Sequence, residues 1–187
     1  MARIFNNIFV RGLTGAVGDQ FVIRKTRYGQ TIIANKPMFD ENREFTEAQL
    51  AQQKAFREAI NYAKKAKTQP LYVNLAKGTN SSSYNIAVAD WFGQPEVMEI
   101  DPSNWKGEVG QEIRLKAQDN VTVTRVNVAI RGDAGVIEEG EAVQSETDGL
   151  LWIYKPQTAT SPTARLHIDA YAHDLPGNMG ELHLQVN

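Results

Sequence analysis

The 187 residues carry 42% hydrophobic and 22% charged side chains, ordinary globular values for one domain or two small ones. Cysteine is absent, which removes disulfides, thiolate metal sites and cysteine nucleophiles together. The net charge is −2, and no run of about 18 or more apolar residues is present, which excludes a helical membrane span.

The small net charge hides a division. From Met1 to Gln94, 13 Lys and Arg stand against 7 Asp and Glu, a net +6; from Pro95 to Asn187, 7 stand against 15, a net −8. Two independently solvated regions satisfy this pattern, and so do a head and tail of opposite sign that attract each other between molecules. The N-terminal MARIFNNIFVRG has no continuous apolar core and no small-residue cleavage site. No secretory signal is expected, which favours the cytoplasm or a particle assembled there.

The first 45 residues read as β. Ile4, Phe5, Ile8, Phe9 and Val10 make the opening apolar. Gly12, Gly15 and Gly18 punctuate the chain as turn glycines; their spacing is neither the dinucleotide fingerprint nor a phosphate-binding loop. Residues 21–26 and 30–34 flank Arg27-Tyr28-Gly29 and predict a hairpin, and Pro37 closes the region.

A helix is expected next. Thr46 and Gln49 form a capping box, and Ala48, Ala51, Ala55, Ala59, Ala63 and Ala66 recur at steps of three and four. Lys54 and Glu58 make an i,i+4 pair. Lys64, Lys65 and Lys67 complement the helix dipole. Pro70 opens a short second helix that Gly78 ends. Ser82 caps a third, with Tyr84, Ala87, Val88, Trp91 and Phe92 on one face as core. Gly93 and Pro95 stop it and mark the expected domain boundary.

Beyond Pro95 the rhythm has period two. Ile113, Leu115 and Ala117; Val126, Val128 and Ile130; Leu166, Ile168, Ala170 and Ala172; and Leu182, Leu184 and Val186 each alternate with mostly polar residues. Repeated half-buried strands predict an antiparallel sandwich. The expected fold is therefore an α+β N-terminal region, residues 1–94, with a β-hairpin and helices, followed by an all-β sandwich, residues 98–187.

The stretch from Asp119 to Val128 resembles the third-strand entry of bacterial immunoglobulin-like domains. Ala172-His173-Asp174-Leu175-Pro176-Gly177-Asn178 is similar to their A-x-D-x-x-G-N turn between the last two strands. Trp152 and Tyr154 fall where that family carries aromatics on a middle strand. The resemblance implies an immunoglobulin-like sandwich over about 98–187 and says little about function. It departs from the family at Leu166, where a corner tyrosine often stands. In the N-terminal region, residues 47–56 and 84–92 and the glycine spacing resemble a family of uncharacterised bacterial proteins, which brings no activity with it.

No catalytic constellation emerges. Ser81-Ser82-Ser83 lacks a nucleophile elbow and reads as a capping cluster. Glu138, Glu139, Glu141 and Glu146 sit in polar sequence and read as solvated surface. His167, His173 and His183 fall in the last two strands, and a turn centred near Gly177 places His183 opposite Tyr171 on an outward face without a tight metal-ligand pair. No enzyme, cofactor or metal is expected. The basic group Arg24, Lys25 and Arg27 resembles no nucleic-acid motif, and half the chain is acidic, so nucleic-acid binding is not expected. Two functions remain. One is a self-associating structural protein, a ring, filament or particle component, whose homo-oligomer uses Ile4, Phe5, Ile8, Phe9, Arg24, Lys25 and Arg27 as assembly contacts. The other is a monomeric binding module that takes a protein or carbohydrate ligand, with Trp105, Trp152 and Tyr171 as aromatic candidates.

Overall fold

A computed structural model of the chain describes residues 2–4, 12–26, 29–38, 44–161 and 165–186. It is a mixed α+β protein that divides into two compact units, 1–50 and 51–187.

The first unit is a four-stranded antiparallel sheet. Strands β1 (Ala2–Ile4), β2 (Gly15–Val17), β3 (Phe21–Lys25) and β4 (Thr31–Asn35) lie in the order β1-β4-β3-β2. The expected hairpin is β3–β4, with Lys25 opposite Thr31 and Phe21 opposite Asn35. Gly18, at φ 57°, lets β2 turn back into β3. Among the side chains described on β2, β3 and β4, Ile23, Thr31 and Ile32 are buried, while Val17, Phe21 and, ahead of β2, Leu13 stand open to solvent.

Helix α1 (Glu47–Ala66) crosses the division. Its capping box forms as the sequence predicts: the Thr46 amide donates to Gln49 Oε1 (3.2 Å) and the Gln49 amide to Thr46 Oγ1 (3.3 Å). Only the last two turns of the alanine stripe are buried, at Ala59, Ala63 and Ala66. Helix α2 (Pro70–Ala76) starts on proline. Helix α3 (Ser83–Phe92) is capped by Ser82, whose Oγ accepts from the Asn85 amide. A small core of Ala63, Ala66, Tyr72 and Ala87 joins the three helices.

The rest of the second unit is two facing sheets. Strands β5 (Glu96–Asp101), β6 (Ile113–Gln118), β9 (Val143–Gln144) and β10 (Leu151–Tyr154) form one, in the order β5-β6-β10-β9. Strands β7 (Arg125–Gly132), β8 (Gly135–Glu141), β11 (Leu166–His173) and β12 (Met179–Val186) form the other, in the order β12-β11-β7-β8. Every inward residue predicted for β6, β7 and β11 is buried, and Leu182, Leu184 and Val186 pack against the same core. Each fully buried Ile or Leu contributes roughly 1.5–3 kcal/mol. Trp105, Trp152 and Tyr154 complete that core.

One expectation shifts. The β11–β12 turn centres on Pro176 rather than Gly177, since His173 pairs with Met179. His183 therefore lies opposite Asp169, and Tyr171 opposite Glu181. The compact units part near Leu50. A set of contacts ties α3 to the sandwich. Asn178 Nδ2 donates to the carbonyls of Trp91 (3.3 Å) and Gly93 (2.8 Å), and a side chain at Gly93 would strike that of Asn120. Gly180 of β12 lies so close to Pro95, ahead of β5, that a Cβ there would stand 1.8 Å from the Pro95 carbonyl oxygen.

Candidate functional site

The outward face of sheet β12-β11-β7-β8 gathers polar side chains in rows fixed by strand register. Glu141, Asn127, Tyr171 and Glu181 cross the four strands in one row; Glu139, Ala129, Asp169 and His183 form the next. Ala129, small and buried, floors a hollow of about 470 Å³ walled by Asn127, Arg131, Glu139, Glu141 and Tyr171. A short residue ringed by long ones is what makes a flat sheet locally concave.

Asp169 is the hub of this face. It points outward yet is only 7% exposed, because its neighbours close over it. Arg131 Nε donates to Asp169 Oδ2 (2.5 Å) and His183 Nδ1 to Oδ1 (2.8 Å), while the Tyr171 and His183 rings meet edge to face at 6.3 Å. Burial alone would raise the Asp169 carboxyl, but the bonds from His183 and Arg131 outweigh it and hold the group below the usual carboxylate range. The same Asp169 bond raises His183 above its ordinary value. The arrangement fixes and orients charge. The two rows supply Glu, Asn, Tyr, Ala, Asp and His but no serine, threonine or cysteine to act as nucleophile. Among the described residues, no group of three or more His, Cys, Asp or Glu side chains is placed to hold a metal ion.

A second polar group is internal. Asp90 of α3 is fully buried, and the Tyr72 hydroxyl of α2 donates to its Oδ2. The Tyr72 hydroxyl in turn lies 2.6 Å from that of Tyr62 on α1, whose ring packs on Trp91 at 5.4 Å. Asp90 Oδ1 has no hydrogen-bond partner among the described residues, and neither does the buried Oδ1 of Asp119. Burial pushes the Asp90 carboxyl up to about 6; the Tyr72 bond lowers it only in part, and the charges of Asp119 and Asp174 add to the rise. Burial also raises both tyrosine hydroxyls. This run of hydrogen bonds ties three helices together.

No family model, no curated protein and no solved structure matches this chain.

The expected assembly contacts fare unevenly. Phe5, Ile8, Phe9 and Arg27 lie outside the described residues. Ile4 ends β1, its Cα opposite Thr31. Arg24 and Lys25 are exposed on β3, and among the described residues neither enters an ion pair. Two of the three aromatic candidates belong to the sandwich core: Trp105 is 6% and Trp152 4% exposed. Tyr171 lines the hollow of the outer face.

Glu138 is not the solvated acid its sequence context suggests. Its Oε1 accepts from the Tyr154 hydroxyl and the Gln157 amide (2.7 Å each), and its Oε2 from the Thr158 amide (2.6 Å). It clasps β8 to the segment after β10, and those bonds outweigh burial to hold its carboxyl below the usual range. The turn motif also has a structural task. Asp174 Oδ1 accepts from the Gly177 and Asn178 amides (2.7 and 2.6 Å), which aims Asn178 at the end of α3. Sequence does not single out Asp90 and gives Asn178 only as part of a turn, because their partners are distant in sequence. Sequence offered one signal for Asp90: it stands three residues from Ala87, on the buried face of α3. No helix among the described residues is long and apolar enough to cross a membrane.

Proposed function

We propose that this chain is a non-enzymatic structural protein that self-associates into a ring, filament or particle component, with its N-terminal sheet as the part that needs a neighbour. The exposed apolar side chains of that sheet carry the reading. Among the side chains described on β2, β3 and β4, Ile23, Thr31 and Ile32 are buried, while Val17, Phe21 and, ahead of β2, Leu13 stand exposed. Its outer strands β1 and β2 are three residues each and leave pairing edges. A second copy supplies both the missing apolar cover and the strand partner.

The sandwich fits an immunoglobulin-like assignment. Its strands in chain order, taken as A, B, C, C′, D, E, F and G, give sheets A-B-E-D and G-F-C-C′, the pairing of that fold. The turn motif centred on Asp174 and the inward Trp152 support it. In this reading the sandwich is the display platform and the N-terminal unit the connector.

Analytical ultracentrifugation of the full chain across a wide concentration range tests self-association. A discrete assembly or a growing series is expected, and deletion of residues 1–11, which removes β1, is expected to abolish it. A 20.8 kDa monomer at every concentration would favour a second reading, a monomeric binding module. The Tyr171-walled hollow is the observation behind that alternative.

A further inference from the structure

The hollow on the outer face of sheet β12-β11-β7-β8 is electrically unbalanced. Arg131 is matched by Asp169. Glu139 and Glu141, on the opposite wall, enter no ion pair among the described residues. They belong to β8, an edge strand, so they are reachable from outside the sheet. Two unmatched carboxylates beside a tyrosine ring suit a cationic side chain, which gains from both the charges and the ring face.

The matching cations are on the same chain. Arg24 and Lys25 are exposed on β3 and unmatched among the described residues. They adjoin the turn of the β3–β4 hairpin, which the Thr26 amide closes on the Gln30 carbonyl (2.8 Å) and the Gly29 amide on that of Thr26 (3.0 Å). Adjacent strand residues point to opposite faces, so an end-on approach of the hairpin is the one that brings both cations to a single hollow.

We propose that this hollow receives Arg24 and Lys25 of a second copy of the chain, which rests on the self-association proposed above and names its acceptor surface. The contact joins two different surfaces, so it is heterologous and closes as a ring or continues as a filament. Apolar burial by the N-terminal sheet supplies most of the affinity, and the charge match selects the register.

Sedimentation velocity on full-length variants tests it. Glu139→Lys/Glu141→Lys and Arg24→Glu/Lys25→Glu should each raise the concentration at which assembly begins at least tenfold. Each variant retains the surface the other has lost. The two reversed surfaces also match each other, so an equimolar mixture should alternate the two variants and restore assembly. Combining all four changes in one chain should restore assembly. If the carboxylate reversal lowers the thermal midpoint, Glu139→Gln/Glu141→Gln replaces it and should still weaken assembly. Wild-type assembly together with unaltered assembly of the carboxylate variants would overturn the hollow as acceptor and leave self-association standing. A wild-type chain that stays monomeric would overturn the self-association itself, and the acceptor with it.

Discussion

A carboxylate buried with one oxygen unpaired works against folding whenever it is ionised, and Asp90 is such a group. Its folded pKa of about 6 lies above its ordinary 3.8, so between those values the folded chain binds more protons than the unfolded one. Stability from this group is fully present below about pH 4 and is lost as pH rises through 6, a swing on the order of 3 kcal/mol. Asp169 and Glu138 act in the opposite sense: their carboxyls are held low, so their contribution disappears only as pH falls below the ordinary carboxylate range. Thermal melts from pH 4 to 7 should show wild type losing stability as pH rises, and Asp90→Asn should flatten that slope. Tyr72→Phe removes the bond that holds Asp90 down, so it should cost about 1–3 kcal/mol at pH 7 and steepen the slope. Asp169→Asn should return the His183 imidazole toward its ordinary value in an NMR titration; an unchanged value would mean that Asp169 is not its partner. Beyond the spacing of Asp90 from Ala87, sequence gives no sign of these contacts. An aspartate on a helix reads as solvent-facing, and Tyr72 stands 18 residues from Asp90. Asp169 reads as an outward strand residue, and only the register that brings His183 and Arg131 over it makes it a hub.

Elements were far more legible than these contacts, for a physical reason. Capping is local, so Thr46, Gln49, Pro70 and Ser82 announce their helices within a single turn. Strand alternation is local too, which is why Ile168, Ala170 and Ala172 are found inward as expected. Strands β5, β8 and β9 leave no clean period-two trace: β5 carries a register shift between Val97 and Glu99, β8 buries no side chain fully, and β9 is two residues long. Close packing between elements leaves no periodic trace at all, and Gly180 shows what it requires. A Cβ there meets the Pro95 carbonyl oxygen at 1.8 Å and its carbon at 2.8 Å, and both are backbone atoms that no rotamer change can move aside. Gly180→Ala should therefore cost about 3 kcal/mol or more in a denaturant melt. Gly177→Ala is the control. It introduces a Cβ at φ 100° with nothing within 4 Å, so only backbone strain of about 1–2 kcal/mol is expected. Equal costs at the two positions would mean that β12 does not press on Pro95.

At the scale of the whole molecule, the change from helical to strand rhythm at Pro95 and the point where the chain divides are different things. Periodicity marks where local structure changes; compactness depends on which contacts cross that point. Here the crossing contacts are strong. Asn178 holds the end of α3, Gly93 lies against Asn120, and β12 meets Pro95 through Gly180. The division near Leu50 also redistributes charge: residues 1–50 carry 7 basic and 5 acidic side chains, and residues 51–187 carry 13 and 17. The polarity of +6 against −8 thus belongs to a cut at Pro95, and across the compact units it falls to +2 against −4. Any electrostatic attraction between copies must then be local, between particular side chains such as Arg24 and Glu139, rather than between whole charged halves. The division makes a direct prediction about fragments. A chain of residues 98–187 begins inside β5, lacks Pro95 and removes the two carbonyls that Asn178 holds. A chain of residues 51–187 keeps every one of these contacts and the Tyr62, Tyr72 and Asp90 group as well. Far-UV circular dichroism with thermal melting should show the longer fragment unfolding in one cooperative step. The shorter should melt at least 10 °C lower, as a loss of a few kcal/mol implies for a domain of roughly 100 residues. Equal melting of the two fragments would make the helices a separate layer and return the boundary to Pro95.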